Sequence, residues 1–315
     1  MKEIGGFFGL ELKIGKEYHP TALKLNSGRN ALLYILKTIK PSKLLIPYYI
    51  CNSVLEPIEK LRINYEFYLI NDKFEPIITS SLGDTDYLLY VNYYGINDVI
   101  VNDLTKKFDN LIIDNSQAFF SRPKKFPTFY SPRKFFGVPD GAYLYINKFL
   151  NENLEQSTSY ERCSHLLKRL DLDLQEIYDD YENAEKLFSN EPLRLMSKLT
   201  KNILSSINYK EAKSIREKNF KFLHNRLKKY NELKINSTQL NGPMKYPLLI
   251  KRDNIKQFLI ENRIYISTYW LEVLERVEKN SFEYELTKYL LPLPIDQRYD
   301  LSDMNLIVEK LSEKL

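Results

Sequence analysis

The sequence predicts an α/β fold with a mostly parallel central sheet and a smaller C-terminal α+β domain. Two observations carry that expectation. Through the first 150 residues, apolar runs of strand length alternate with helically spaced patterns, the arrangement of parallel strands covered by helices on both faces. Beyond Leu150 the texture changes to charged helical sequence, followed by short strand runs and a closing helix.

The elements follow in order. SGRNALLYIL (27–36) places apolar residues at helical spacing directly after a Ser-Gly turn, so a helix opens there with its first backbone amides free. KLLIPYY (43–49) reads as a short buried strand, VLEPIEKLR (54–62) as a helix and NYEFYLI (64–70) as a strand. DYLLYVNYYG (86–95) and NLIIDNSQAF (110–119) are apolar runs that end in polar residues or glycine, where open α/β sheets carry their sites. GAYLYINKF (141–149) is a further strand. ERCSHLLKRLDLDLQEIYDDYENAEKL (161–187) reads as charged helix, and EAKSIREKNFKFLHNRLKKY (211–230) as a long connecting helix. MKYPLLIK, IYISTYW and LSDMNLIVEKLSEKL complete a small unit with two strands and a helix. A boundary near Ser205 to Lys213 divides the chain into a large α/β domain, 1–210, and a small α+β domain, 211–315.

Composition excludes several classes of function. The chain has 315 residues, 43% hydrophobic and 28% charged, enough to build a sizeable core without a disordered tract. No apolar run approaches the roughly 18 residues that cross a bilayer. MKEIGGFFGLELKIG interrupts any signal-peptide core with acids and glycines, so the chain reads as soluble and cytoplasmic, with no membrane partner. The net charge of +5 is dispersed among acids rather than clustered with aromatics, which argues against a nucleic-acid partner. Cys51 and Cys163 have neither metal-ligand spacing nor a disulfide framework and are expected to be reduced.

Chemistry concentrates around YSPRKFFGVPDGAYLY (130–145), where one lysine stands between an arginine and two phenylalanines. Taken alone, a lysine in a turn is a solvated side chain. Four fragments in fixed order change that reading: SGRNAL (27–32), IPYY (46–49), LIIDNSQAF (111–119) and SPRKFFG (131–137). Together they resemble the DegT/StrS group of sugar aminotransferases, fold type I pyridoxal-phosphate enzymes that aminate keto-sugars on nucleotide carriers. The resemblance spans nearly the whole chain, since VNYYGI (91–96), REKNF (216–220), ENRIYISTYW (261–270) and YLLPLPID (289–296) are also similar to segments of that family.

The resemblance implies a pyridoxal 5'-phosphate cofactor and a role for each residue that matches a family motif. Lys134 is the amine that takes the cofactor's aldehyde and moves a proton at the substrate carbon. Its neighbours predict that it packs between Phe135, Phe136 and the next strand, partly desolvated. Asp114, after an apolar strand, is the carboxylate that keeps the ring nitrogen protonated, although in isolation an aspartate there caps a helix. Gln117 is the polar contact to the cofactor. Ser27, Gly28, Arg29 and Asn30 at the helix opening, with Ser131, hold the phosphate. Tyr48 or Tyr49 stacks on the ring.

Some positions depart from the family pattern. Arg29 stands where a small hydroxyl residue is usual, Phe129 where a serine precedes the lysine by five positions, and Phe135 where a polar residue follows it. The chain is also short for the family. Arg162, His165, Lys168 and Arg169 share a helical face and read first as solvated charge, with a diphosphate or carboxylate contact as the sharper alternative. His19 and His224 read as structural or exposed. By resemblance, the chain is a homodimeric aminotransferase that passes nitrogen from an amino acid, glutamate in the usual case, to a nucleotide-linked keto-sugar in surface-polysaccharide synthesis. Two other readings are kept: a catalytically silent binding protein of the same fold, with Arg29 or Phe135 in the ring's place, and a pyridoxal enzyme acting on a small amino acid.

Overall fold

The computed structural model describes residues 4–315. Its first half contains β1 (Leu23–Leu25), α1 (Gly28–Ile39), β2 (Lys43–Pro47), α2 (Leu55–Lys60), β3 (Asn64–Ile70) and β4 (Pro76–Ile77). It continues with β5 (Tyr87–Val91), α3 (Asp98–Lys107), β6 (Leu111–Asp114), β7 (Thr128–Tyr130) and β8 (Ala142–Tyr145). These strands form one sheet in the order β1-β8-β7-β6-β5-β2-β3-β4. The five central strands, β3, β2, β5, β6 and β7, run parallel. β8 is antiparallel between β7 and β1, and β4 closes the other edge antiparallel to β3.

The central strands are buried because their sequences are apolar at successive positions: all four residues of β6 and the last four of β2 and β5 are buried. α1 starts where it does because the Ser27 hydroxyl accepts the Asn30 amide at 3.2 Å. It stops at Lys40, which turns left-handed (φ 49°) and donates its N–H back to Leu36.

The second half contains α4 (Ser164–Lys168), α5 (Tyr178–Lys186), α6 (Lys198–Ser205), α7 (Tyr209–Leu227) and β9 (Lys245–Leu249). It ends with α8 (Ile255–Glu261), α9 (Val273–Arg276), α10 (Phe282–Tyr289), β10 (Leu290–Pro294) and α11 (Leu301–Ser312). β9 and β10 pair antiparallel as a second, two-stranded sheet. α7 joins two cores: Tyr209 and Ala212 belong to the one around the large sheet, whereas Phe220, Leu223 and Leu227 pack with β9, β10, α8 and α11. Val273, Leu286 and Leu290 return to the first core, so α9 and α10 lie against the large sheet although they follow the small one in sequence.

Two expectations need correction. The charged stretch 161–187 is not one helix. It breaks into α4 and α5, because Asp173 starts a new helical turn with its own capping box to Glu176. IYISTYW forms no strand. Ile264 and Ile266 are buried by loop packing while Tyr265 between them is exposed, and Arg263 just before this stretch adopts the left-handed conformation (φ 60°) that ends α8.

The turn after Lys134 has a structural purpose. Asp140, fully buried, accepts the Ser197 amide at 3.0 Å, the Ser197 hydroxyl at 2.8 Å and the Thr200 hydroxyl, tying this loop to the start of α6.

Candidate active site

The carboxyl ends of β2, β5, β6 and β7 meet the first turn of α1 around a cavity of about 200 Å³. Ligands collect at this edge of a parallel sheet because the strands stop there and the helices that follow begin there. Lys134, Asp114, Ser27, Gly28, Arg29, Gln117 and Ser131 all line it. The sequence separation between the helix opening and Lys134 is therefore closed by the sheet, with β6 adjacent to β7.

Asp114 ends β6 and is buried. Burial pushes its carboxyl above the ordinary range, while the Lys134 ammonium and the Ser116 hydroxyl and amide hold it back. The Ser116 amide donates to it at 2.7 Å. Lys134 sits in a helical turn, Pro132–Lys134, after β7. It is exposed, which corrects the expectation that Phe135 and Phe136 enclose it. Both phenylalanines turn inward onto Phe119, leaving the amine at the cavity. The carbonyl of Phe135 is fixed from the other side by Arg216 at 3.1 Å and Gln297 at 2.9 Å. Phe135 therefore does not occupy the cavity.

Gln117 is buried, and its side-chain oxygen accepts the Tyr94 amide at 2.8 Å. That contact depends on Gly95, whose backbone is left-handed (φ 70°) and where a Cβ would lie 2.8 Å from the Gln117 carbonyl oxygen. Arg29 pairs with Glu56 at 3.1 Å. Phe129 lines the cavity at the position where the resemblance expects serine.

Three expected site residues are placed elsewhere. Asn30 turns its amide to Asn26 and to the carbonyls of Glu191 and Pro192. Tyr48 stacks on Phe67 of β3 at 4.7 Å, outside the cavity. Tyr49 is fully buried behind it, with its hydroxyl 2.8 Å from that of Tyr94. The physical reason is the path after β2: the two tyrosines pack beside the sheet, and Ile50 and Cys51 reach the cavity instead.

Trp270, the single tryptophan, lines the cavity together with Phe129 and Phe188, and meets Tyr49 edge-on at 4.6 Å. Ser116, Arg133, Glu185 and Phe188 also line the cavity without having been expected there. Of these, Ser116 and Arg133 stand within the quoted motifs. Arg133 pairs with Glu185 and lies 3.9 Å over the Phe188 ring.

The cluster 162–169 stays outside the cavity. Arg162 bonds Glu191 at 2.6 Å, Lys168 bonds Asp180 at 2.8 Å and Arg169 bonds the Leu172 carbonyl at 3.0 Å. His19 is buried between the Phe119 carbonyl and the Tyr145 hydroxyl, and burial pushes its imidazole down to about 4. His224 is half-buried beside Tyr246.

No family model matches the chain, and no curated protein does. Solved structures do. The sugar aminotransferase CalS13 from Micromonospora echinospora superposes with a TM-score of 0.64 at 15% identity, over 94% of this chain and 88% of that one. A DegT DnrJ EryC1 StrS aminotransferase from Brucella abortus gives 0.60 at 13% identity, over 93% and 85%. The fold is that of the sugar aminotransferases. An E. coli GDP-4-keto-6-deoxy-D-mannose-3-dehydratase, solved with bound hydrated PLP, shares this sugar-aminotransferase fold with a TM-score of 0.60 at 16% identity, over 92% and 87%. The same scaffold therefore serves reactions of different outcome, and the fold alone does not choose between them.

The cavity's residues fit pyridoxal phosphate on three counts. The amides of Gly28 and Arg29 in the first turn of α1 have no helical acceptor and stand at the cavity wall. The buried Asp114 supplies a carboxyl with a cationic neighbour. Lys134, exposed, presents a primary amine at the cavity wall.

Proposed function

We propose that this chain is a pyridoxal-phosphate-dependent aminotransferase. Its acceptor is a nucleotide-linked keto-sugar, and its donor is an amino acid, with glutamate the choice that the resemblance favours. Surface-polysaccharide synthesis in the cytoplasm is the setting that goes with this reading, and a homodimer its working form. The observation that carries it is the convergence of Lys134, Asp114 and the open start of α1 on one cavity. When bound, the cofactor supplies the electron sink that lets an amino group leave one carbon skeleton and join another.

The residues divide the remaining work. The amides of Gly28 and Arg29, with Ser27, Ser116 and Ser131, would bind the phosphate. Asp114, held by Ser116, would keep a proton on the ring nitrogen. Gln117 and Trp270 would orient the ring. Lys134 would bond the aldehyde and carry the proton at the substrate carbon, which its exposure on the cavity side allows.

Isotopically labelled glutamate tests amino transfer. Added to the cofactor-loaded protein, it is expected to shift the visible absorbance, and a nucleotide-linked keto-sugar is expected to restore it and leave with the labelled nitrogen. A spectrum indifferent to glutamate, or a sugar product that has lost oxygen without gaining nitrogen, overturns the reading.

A further inference from the structure

Arg216 of α7 is 1% exposed, among the largest side chains that the fold buries completely. Its guanidinium meets only neutral acceptors. Nε donates to the Gln297 side-chain oxygen at 2.9 Å, one terminal nitrogen to the carbonyls of Pro243 and Met244 at 3.3 and 3.2 Å, and the other to the Phe135 carbonyl at 3.1 Å. Among the described residues no carboxylate pairs with it: Asp296, whose charge reaches it, is bound by Arg298 at 2.7 and 3.0 Å. Burying a guanidinium without a counter-ion is costly, and burial pushes Arg216 down to about 10. An uncharged side chain of similar volume would fill the space at less cost, so the charge calls for an explanation in what it holds.

It holds two parts of the cavity wall at once. Lys134 sits in a single helical turn, and one such turn does not keep its shape unaided. Phe135, the next residue, is pinned at both backbone groups. Its N–H donates to the Pro132 carbonyl at 2.9 Å, and its carbonyl accepts from Arg216 and, at 2.9 Å, from Gln297. The Phe135 ring lies 4.6 Å from the guanidinium. In the other direction, Met244 donates its N–H to the Tyr94 carbonyl at 2.8 Å, and the Tyr94 amide donates to Gln117. α7 and the segment after β10 belong to the second core, so the placement of that core reaches both Lys134 and Gln117 through one guanidinium.

We propose that Arg216, with Gln297, is a positioning residue for Lys134: its fork fixes the peptide that follows Phe135 and so keeps the lysine amine at the cavity wall, ready to attack an aldehyde. This role rests on the reading of Lys134 as the amine that bonds the cofactor. An arginine suits it because a lysine ammonium is a single point charge, whereas the planar fork reaches acceptors on three separate segments together. Orientation fixed in advance is orientation that the reaction does not have to supply.

Two variants separate positioning from folding. Arg216→Lys keeps the charge and loses the fork. Gln297→Glu gives the buried guanidinium a carboxylate partner, removes the second donor from the Phe135 carbonyl and sets an anionic oxygen against it. The full-length parent and both variants are incubated with increasing pyridoxal phosphate and quenched with borohydride at set times, and the label at Lys134 is quantified by peptide mapping. Gln297→Glu is expected to melt no lower than the parent. Its maximal labelling rate is nevertheless expected to fall about tenfold, with the half-saturating concentration within about twofold, because the phosphate site is untouched. Arg216→Lys is expected to lose rate by a similar factor. If the parent labels at Lys134 and Gln297→Glu labels as fast, or if rate falls across the variants only in step with melting temperature, the positioning role is overturned and the aminotransferase reading stands. A parent that takes no label at Lys134 overturns both.

Discussion

Asp114 shows how much a single residue's surroundings contribute to the reading. Its carboxyl is held above the usual range chiefly by burial, which makes the ionised form costlier here than in water. For a carboxyl raised in this way, the stabilising contribution is complete below its ordinary value and is lost as pH rises through the raised one. At neutral pH, Asp114→Asn removes that cost and keeps an oxygen to accept the Ser116 amide. The variant is expected to melt at a higher temperature than the parent without cofactor, in calorimetry at pH 7, and to lose retention of pyridoxal phosphate through gel filtration. An unchanged or lower melting temperature would show that Asp114 is not under this strain. Lys134 and Asp114 were picked out through the resemblance that the order of the fragments carries, because a lysine in a turn reads alone as solvated charge and an aspartate after a strand as a helix cap. The placement of Tyr48 and Tyr49 was not legible, because a strand's end does not say to which side the chain turns next. Trp270 was out of reach for a different reason. It comes to the cavity from the far end of the chain, through a loop with no periodic signal.

Short elements hold the site's geometry. The turn Tyr93–Gly95 follows β5 and presents the Tyr94 amide to Gln117, with Tyr94 itself left-handed at φ 57°. Gly95 allows that turn to approach the Gln117 backbone, and no other residue fits the space without movement. Gly95→Ala is expected to cost about 1–3 kcal/mol in urea denaturation, from the left-handed backbone and the displaced contact together. Its cofactor affinity is expected to fall as well, since the Gln117 side chain is anchored by the adjacent amide. A variant as stable as the parent would show that the turn relaxes freely. Most strands and helices were legible from their apolar spacing, and NYEFYLI was placed to the residue. IYISTYW was misread because alternating apolar residues in a loop between α8 and α9 mimic a strand's pattern without a neighbour to pair with.

At the scale of the whole molecule, the order of strands and helices specifies the parallel sheet, and the sheet specifies where a site stands. The change of texture beyond Leu150 was legible too. What was not legible was the return of α9 and α10 to the first core, which rests on contacts between distant parts of the sequence. The roofing of the cavity by Glu185 and Phe188 was hidden in the same way, within a stretch whose charge reads as a solvated face. Function depends on whether this cavity holds pyridoxal phosphate through Lys134. The most direct measurement is borohydride reduction of the protein after incubation with pyridoxal phosphate, followed by peptide mapping beside Lys134→Ala. The expected result is one pyridoxyl label, in the peptide containing SPRKFFG, absent from the variant. Labels scattered over other lysines and unchanged in Lys134→Ala would contradict the assignment and leave the cavity to a ligand of another kind.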